Sequence, residues 1–188
     1  MHKLILTDVD DTVLRYTDYF QEWAEKQGFS FSVPLRSHYS IEQATGATPE
    51  ETFALMRRFV DEGWLNEQPP EECALEVLPE LHKAGYTFVA ITACGGDEAF
   101  RNARKRRLEE VFGFRWQAVH VLPLRAAKTE QLRAYSPSVW VEDNALHAID
   151  GASVGHRTFL LTRPYNECDP IAAVTRVRSW HDIAEQLL

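Results

Sequence analysis

The sequence predicts an α/β protein: a doubly wound, Rossmann-like parallel sheet with a small helical cap inserted after the first strand. Short apolar runs alternate with amphipathic helical patterns through most of the chain, which is typical of parallel strands covered by helices on both faces. One stretch near the start contains helical patterns but no convincing core strand, so it is expected to be an insertion. The 188 residues, 45% of them hydrophobic, suffice for one core with a small cap.

The core elements follow one another in order along the chain. The first strand is predicted at residues 3–8, where an apolar run ends in an acid. Further strands are predicted at 86–92, 117–121, 139–141 and 157–161, and core helices at 97–112, 128–134, 145–152 and 179–188. Because the strand runs are nearly continuously apolar, we expect both faces of the sheet to be buried.

The insertion is predicted to be helical. Amphipathic patterns are expected at 18–27 and 49–63, and a third helix at about 79–84. Thr48-Pro49-Glu50-Glu51 combines a capping residue, a first-turn proline and early acids, which favours a helix start. We therefore expect residues 1–14 and 80–188 to form the catalytic α/β core, and residues 15–79 to form the cap.

Composition argues against several classes of function. Lys and Arg total 20 against 28 Asp and Glu, a net charge of −8, so binding to extended nucleic acid or to a membrane is not expected. The apolar runs are too short to cross a bilayer, and the acidic first twenty residues do not resemble a signal peptide. Cys73, Cys94 and Cys168 are expected to be reduced thiols of a cytoplasmic protein, because their odd number and wide spacing fit neither a disulfide framework nor a zinc site.

The residues that can carry chemistry lie where the predicted strands end. In open parallel sheets, ligands bind beyond the carboxyl ends of the strands. The strand ends carry Asp8-Val9-Asp10-Asp11-Thr12, Thr92-Ala93-Cys94-Gly95-Gly96 and Glu142-Asp143-Asn144, with Lys128 following the third strand. Carboxylates, a hydroxyl, small residues and an ammonium thus meet at one edge of the sheet. That combination indicates a phosphate group bound together with a divalent cation.

Elementary chemistry gives these groups roles. Packed carboxylates repel one another, so Asp8, Asp10 and Asp143 need a compensating cation, and oxygen ligands alone favour Mg²⁺. A carboxylate can attack phosphorus to form an aspartyl-phosphate, while a second acid two residues later protonates the leaving oxygen and then deprotonates water. Thr92, the backbone N–H groups that follow it, such as that of Ala93, and the Lys128 ammonium would stabilise the phosphoryl oxygens.

The ordered set resembles the four motifs of the haloacid dehalogenase superfamily of phosphotransferases. Its first motif, Asp-x-Asp-x-(Thr/Val), corresponds to residues 8–12, and its second to Thr92. Its third motif corresponds to Lys128, and its fourth, an acidic pair, to Glu142-Asp143. The resemblance implies the superfamily fold and covers nearly the whole chain.

The resemblance also implies a role for each residue. Asp8 would be the nucleophile and a Mg²⁺ ligand, and Asp10 would be the general acid/base and offer its backbone carbonyl to the metal. Asp143 would supply the third protein ligand, while Thr92 and Lys128 would bind phosphate. The dehalogenase branch lacks the second acid, so the presence of Asp10 favours phosphate chemistry.

A closer resemblance is to the 5′(3′)-deoxyribonucleotidases of that superfamily. They combine a small helical cap with a late (Thr/Arg)-Pro-Tyr-Asn-like turn, here at residues 161–166, and a closing helix like that at 178–183. Asn144 departs from the family, which often has Arg after the acidic pair. This resemblance implies a Mg²⁺-dependent phosphomonoesterase, a 5′-nucleotidase acting on small (deoxy)nucleoside monophosphates. The alternatives are a sugar phosphate or a polynucleotide end as substrate, or a catalytically silent domain that binds phosphate or a partner.

Several other features have a structural interpretation that is favoured over a functional one. Core packing is favoured over nucleobase stacking for the cap aromatics, Tyr16, Tyr19, Phe20 and Trp23. A solvated helix face is favoured over a polynucleotide track for a basic run, Arg101, Arg104, Lys105, Arg106 and Arg107. Cys94 is expected to be a packed thiol. The Thr12 hydroxyl is equally suited to bracing its loop and to taking part in the site. Glu142 is expected to lie behind the metal ligands, in an outer position.

Overall fold

The computed structural model describes residues 3–38, 41–95, 98–167 and 170–188; Gly96, Asp97 and Cys168 of the sequence analysis lie outside these ranges. Six strands of the described chain form one sheet in which every pairing is parallel. They are β1 (Leu4–Thr7), β2 (Thr87–Thr92), β3 (Ala118–Val121), β4 (Val139–Glu142), β5 (Arg157–Leu161) and β6 (Val174–Val177). Their order is β3-β2-β1-β4-β5-β6, so the winding reverses between β1 and β4. The predicted doubly wound α/β fold is confirmed, and ligands of such folds bind at this reversal.

The helices of the described chain are α1 (Thr17–Lys26), α2 (Ile41–Thr45), α3 (Pro49–Asp61), α4 (Glu72–Lys83), α5 (Glu98–Phe112), α6 (Thr129–Arg133), α7 (Ala145–Ser153) and α8 (Trp180–Leu187). Short 3-10 turns occur at Leu35–Ser37, Trp64–Glu67 and Pro164–Asn166. Among these helices, none has the length and apolar character needed to span a membrane.

The two faces of the sheet are covered by different helices. Ile5 of β1 packs into the larger apolar cluster with residues of α4, α5 and α8, whereas its neighbours Leu4 and Leu6 pack into a smaller cluster with Leu132 of α6 and Trp140. This alternation follows from the two-residue period of a strand. It explains why Leu4, Ile5 and Leu6 are apolar in succession.

Helix α7 lies unusually close to the sheet at Gly151. A Cβ atom at this position would lie 2.2 Å from Cδ1 of Trp140, whose side chain is fully buried. The Trp140 indole N–H donates to the backbone carbonyl of His147, 3.1 Å away, in the preceding turn of α7. Glycine is therefore required here by the close approach of helix and strand.

The helices between β1 and α4 have an apolar cluster of their own. Phe59 of α3 lies at its centre, with ring centroids 5.2 Å from Phe20 and 5.1 Å from Trp23, both on α1. Helix α3 begins with a capping box, because the Thr48 hydroxyl accepts from the Glu51 N–H and the Glu51 carboxylate accepts from the Thr48 N–H. The insertion after the first strand is thus helical, as predicted.

Three elements differ from the sequence-based expectation. Strand β6 was not predicted, because it is an edge strand with only Val177 buried and lacks a continuous apolar run. Helix α4 begins at Glu72 rather than near residue 79, and Pro79 lies inside it. The short helix α2 was also not predicted. Ala74, Val77 and Leu78 of α4 pack into the larger apolar cluster of the sheet, and this packing accounts for the start of the helix at Glu72.

Candidate active site

The strand ends of the sheet bring the predicted site residues together. Asp8 follows β1, Thr92 ends β2 and Glu142 ends β4, while Lys128 directly precedes α6. The Asp8 N–H donates to the carbonyl of Val141 at 2.9 Å, which ties the loop after β1 to β4. Because β1 lies between β2 and β4, these loops converge at one edge of the sheet.

A cluster of three buried carboxylates forms the centre of this edge. Oxygens of Asp8, Glu142 and Asp143 all lie within 4.8 Å of one another. Lys128, only 2% exposed, lies beside them, with Nζ 2.6 Å from Asp8 Oδ1 and 2.8 Å from Glu142 Oε2. One ammonium faces three carboxylates, so the cluster keeps an excess of negative charge that a divalent cation can balance.

The ionisation of the cluster reflects this excess. Burial, and the charge of Glu142, raise the pKa of Asp8 to about 7, although Lys128 opposes the shift. Burial also raises the pKa of Asp143 well above its usual range, and the charges of Glu142 and Asp8 add to the shift. Without a metal ion, the cluster therefore holds protons near neutral pH that a bound cation would displace.

Glu142 holds the loop that follows β4 and the Lys128 side chain in place. Burial opposes its ionisation, but Lys128 holds the pKa of Glu142 below its usual range. Its Oε1 accepts from the backbone N–H groups of Asp143 and Asn144, each at 3.1 Å, and its Oε2 accepts from Lys128. Both oxygens are thus engaged in fixing the loop and the lysine, and the outer position of this acid stays a prediction.

Asp143 is held by residues from both ends of the chain. Its Oδ1 accepts from the Thr12 hydroxyl at 3.1 Å, and its Oδ2 accepts from the Tyr165 hydroxyl. The Asn166 side-chain amide donates to the backbone carbonyls of Asp143, at 2.6 Å, and of Leu161, at 2.8 Å. Tyr165 and Asn166 were not among the predicted site residues, and the only signal for them in the sequence was the late Pro-Tyr-Asn turn.

The first loop is braced from several sides. Asp11 has a left-handed backbone with φ of 54°, and its buried carboxylate accepts from the N–H groups of Tyr16 and Thr17 at 2.9 Å, capping α1. Burial raises the pKa of Asp11 to about 6. Arg163 of the late turn donates to the Asp11 carbonyl at 2.6 Å, and the Trp180 indole donates to the Thr12 carbonyl at 2.8 Å. These contacts fix the loop that carries the candidate nucleophile.

The Asp10 carboxylate is bound to a different set of groups. Its Oδ2 accepts from the Thr92 hydroxyl at 3.2 Å, whereas its Oδ1 accepts from the Gln68 side-chain amide at 3.0 Å and from the Arg104 guanidinium. Side chains of Asp10 and Thr92, predicted to act together, are thus in direct contact. The contribution of the Asp10 backbone carbonyl to a metal stays a prediction, as do the phosphate-binding roles of Thr92, Ala93 and Lys128.

The solvated-face interpretation of the basic run is wrong for Arg104. Its side chain is fully buried, whereas Arg101 and Arg106 are exposed. The spacing held the signal, because Arg104, Leu108 and Phe112 are four residues apart and share the buried face of α5. A charged side chain on that face has to find a partner, which it does at Asp10 and Gln68.

The other uncertain side chains take structural positions. Phe20 and Trp23 are buried inside the cluster of α1 and α3, as favoured above. Burial raises the pKa of the Cys94 thiol, so it stays protonated, which agrees with a packed thiol. Tyr16 is half-buried, and its ring centroid lies 5.7 Å from that of Phe20 and 6.1 Å from that of Phe59. Burial together with the charges of Asp10 and Asp11 raises the pKa of its hydroxyl. Tyr16 is therefore the cap aromatic whose hydroxyl lies within the field of the acids.

Comparison with known proteins identifies the fold. No protein-family model matches the chain, and no curated protein matches it either. The solved structures that it resembles include members of the haloacid dehalogenase superfamily, in agreement with the predicted fold. At the sequence identities found, these similarities establish the fold and leave substrate and activity open.

Two such structures cover almost the whole chain. The D,D-heptose 1,7-bisphosphate phosphatase from B. bronchiseptica, complexed with magnesium and phosphate, is 15% identical with a TM-score of 0.61, covering 98% of this chain and 97% of its own. L-2-haloacid dehalogenase from Xanthobacter autotrophicus is 14% identical with a TM-score of 0.60, covering 100% of this chain and 98% of its own.

Proposed function

We propose that this protein is a Mg²⁺-dependent phosphomonoesterase that works through an aspartyl-phosphate. The observation that carries the proposal is the buried cluster of Asp8, Glu142 and Asp143 around Lys128, with the Asp10–Thr92 pair beside it. A silent binding domain has no need for a second acid held against the phosphate-binding threonine. We therefore favour catalysis over simple phosphate binding.

The donor set fits a magnesium ion. Three buried carboxylates balanced by one ammonium make an all-oxygen site with excess negative charge, which is the chemistry Mg²⁺ prefers. Asp8 and Asp143 would hold the ion through their carboxylates and Asp10 through its backbone carbonyl. When bound, the ion would neutralise charge on the phosphoryl oxygens of the substrate.

The protein groups then divide the reaction into two steps. In the first, the Asp8 carboxylate attacks phosphorus as the bond to the leaving oxygen breaks, and Asp10 gives its proton to that oxygen. In the second, Asp10 takes a proton from water, and the resulting hydroxide attacks phosphorus, releasing phosphate and restoring the Asp8 carboxylate. Thr92 and Lys128 would stabilise the charge on the phosphoryl oxygens in both steps.

Lys128 is suited to this role because it stays charged. Burial opposes its charge, but Asp8 and Glu142 raise the pKa of Lys128 above its usual range. Its contact with Asp8 also favours the ionised, nucleophilic form of that carboxylate. The same lysine would therefore orient the nucleophile and meet the phosphate.

For the substrate, we propose a small (deoxy)nucleoside monophosphate, hydrolysed in the cytoplasm. Of the predicted cap, residues 15–79, the part that precedes α4 would cover the site. Two observations support this choice. The late turn that resembles the deoxyribonucleotidases contacts Asp143 directly through Tyr165 and Asn166. Tyr16, a half-buried aromatic residue packed against the helical cluster, has its hydroxyl within the field of Asp10 and Asp11.

A phosphate-release screen with nucleoside monophosphates and sugar phosphates tests this proposal. We expect release from nucleotides with Mg²⁺, loss of activity in EDTA, and a fall of several orders of magnitude for Asp8→Asn, because an amide is a poor nucleophile. Asp61→Asn, an exposed acid on α3, is the matched control and should behave like the wild type. Preference for a sugar phosphate would refute the nucleotide assignment, and full turnover in EDTA would refute the metal requirement.

Substitutions of the cap aromatics can distinguish recognition of the substrate from the chemical step. Tyr16→Leu should reduce hydrolysis of a nucleotide more than that of p-nitrophenyl phosphate, because only the nucleotide offers a base for the ring to stack on. Phe20→Ala should affect both substrates equally, since Phe20 is buried within the helical cluster. If Tyr16→Leu reduced hydrolysis of the two substrates equally, Tyr16 would, like Phe20, serve only to pack the helices.

A further inference from the structure

Arg104 on α5 is a fully buried charged residue that neither motif nor composition connects with the site. Its guanidinium donates to Oδ1 of Asp10, to the side-chain oxygen of Gln68 and to the carbonyl of Leu65, the last at 2.8 Å. Gln68, also fully buried, donates in turn to the same Asp10 oxygen at 3.0 Å. The three side chains form a closed network behind the candidate acid.

This network distinguishes the two oxygens of Asp10. Oδ1 accepts two N–H donors that cannot themselves accept a proton from the carboxyl group, since a guanidinium has no acceptor and the Gln68 amide presents its NH₂ group. Oδ2 meets the Thr92 hydroxyl at 3.2 Å, and a hydroxyl can both donate and accept. Only Oδ2 can therefore carry a proton without breaking the network.

We propose that Arg104 is a positioning residue for the reaction, a role that rests on the proposed function. With Gln68 it holds Oδ1 of Asp10, so that Oδ2 gives the proton to the leaving oxygen and later takes one from water. Because Arg104 also binds the Leu65 carbonyl, it joins the acid to the turn Trp64–Glu67 of the inserted helical segment. The position of the acid is thus linked to that of the segment proposed to cover the substrate.

Arg107, one turn along α5, is a matched control. Its guanidinium donates to the Gln68 carbonyl at 2.8 Å from Nη2 and 3.2 Å from Nε, and to the Glu67 carbonyl at 3.4 Å. It thus binds the backbone of this turn and of Gln68, whereas Arg104 binds the Asp10 carboxylate as well. Arg107→Gln loosens the turn while keeping the contact between Arg104 and Asp10.

Single-turnover rates with two substrates test the proposal on the full-length protein with Mg²⁺. p-Nitrophenolate leaves without a proton, whereas the alkoxide of a nucleoside monophosphate needs one, so only the second substrate depends on Asp10 in the first step. We expect Arg104→Gln to slow nucleotide cleavage by at least about tenfold, because a misplaced acid loses part of a contribution of about 10²–10⁴. The first turnover of p-nitrophenyl phosphate should be unchanged. Arg107→Gln should slow the nucleotide less than Arg104→Gln does, and Arg106→Gln, at an exposed arginine of α5, should leave both rates unchanged.

Two further variants test whether Arg104 acts through its charge and through Asp10. Arg104→Lys keeps the charge and should restore part of the nucleotide rate. In an Asp10→Asn background, Arg104→Gln should cause no additional loss, because the group it positions is already absent. Should Arg104→Gln fail to fold, Gln68→Met removes the neutral donor on Oδ1 and should slow the nucleotide selectively in the same direction.

The outcomes separate the two proposals. If the wild type releases phosphate from no ester, the proposed function fails and the positioning role fails with it. If the wild type is active but Arg104→Gln slows both substrates equally, only the positioning role is overturned. The same holds if Arg107→Gln slows the nucleotide as much as Arg104→Gln does, because holding the turn would then be sufficient.

Discussion

Replacing Lys128 by Met should strongly destabilise the metal-free protein at pH 8. The ammonium lies 2.6 Å from Asp8 Oδ1 and 2.8 Å from Glu142 Oε2, and it is almost completely buried. With an effective dielectric constant of about 20, two contacts at these distances contribute about 6 kcal/mol each in gross attraction. Burial of the ammonium offsets several kcal/mol of this, and removing one partner of a buried ion pair typically costs about 3–5 kcal/mol. The expected loss is therefore about 3–5 kcal/mol of the free energy of unfolding.

The loss should depend on pH in a defined direction. The pKa of Asp8 is about 7 in the folded protein against 3.8 for a free side chain, so between these values the folded state binds more protons than the unfolded state. This group therefore makes the metal-free protein less stable as the pH rises through that range, by up to about 1.4 kcal/mol per pH unit. Lys128 lowers the pKa of Asp8, so the variant's pKa will be higher still. The deficit of Lys128→Met should then be largest above pH 7 and shrink as the pH falls toward 6.

Urea unfolding in EDTA at pH 8 and pH 6 measures this deficit. Lys105→Met is the matched control, because Lys105 is a half-exposed lysine on α5, and its loss should change stability by no more than about 0.5 kcal/mol. A deficit for Lys128→Met that is equal at the two pH values would refute the argument. So would a deficit at pH 8 no larger than that of the control.

Three further predictions concern the metal site and the packing of α7. Asp143→Asn should raise the Mg²⁺ concentration needed for half-maximal activity more than it raises the substrate KM, and an unchanged metal titration would remove Asp143 from the ligands. Tyr165→Phe deletes only the hydroxyl on Asp143 and should weaken Mg²⁺ binding by about 10- to 100-fold, as measured by calorimetry, whereas wild-type affinity would mean that this contact does not orient the carboxylate. Gly151→Ala should lower the free energy of unfolding by about 1–3 kcal/mol, because its Cβ would overlap Trp140, and this outweighs a gain of about 1 kcal/mol in helix propensity. A more stable Gly151→Ala variant in urea unfolding would contradict that balance.

Local pattern was enough to predict the fold and which residues meet at the centre of the candidate site. The strands of a parallel sheet are buried on both faces. The sequences of β1 and β2 are therefore nearly continuous apolar runs, which can be recognised without knowing the helices that pack on them. The site residues could be chosen because the carboxyl ends of such strands meet, which brings Asp8 and Asp143 together without knowledge of any contact. Strand β6 escaped prediction because it lies at the edge of the sheet and only Val177 is buried, so its sequence has no continuous apolar run.

Only the tertiary structure decided how the candidate catalytic groups are held. The partners of Asp10 lie 58 positions away at Gln68 and 94 positions away at Arg104, and Tyr165 meets Asp143 across 22 positions. The four-residue spacing of Arg104, Leu108 and Phe112 indicates a buried face of α5, but it does not show which groups the Arg104 guanidinium meets there. Whether such a side chain enters solvent or a buried network depends on which element packs over it. For Arg104, the turn Trp64–Glu67 and Gln68 cover the side chain. These contacts join residues that are far apart in the sequence, and they place the buried guanidinium where it can support the candidate acid.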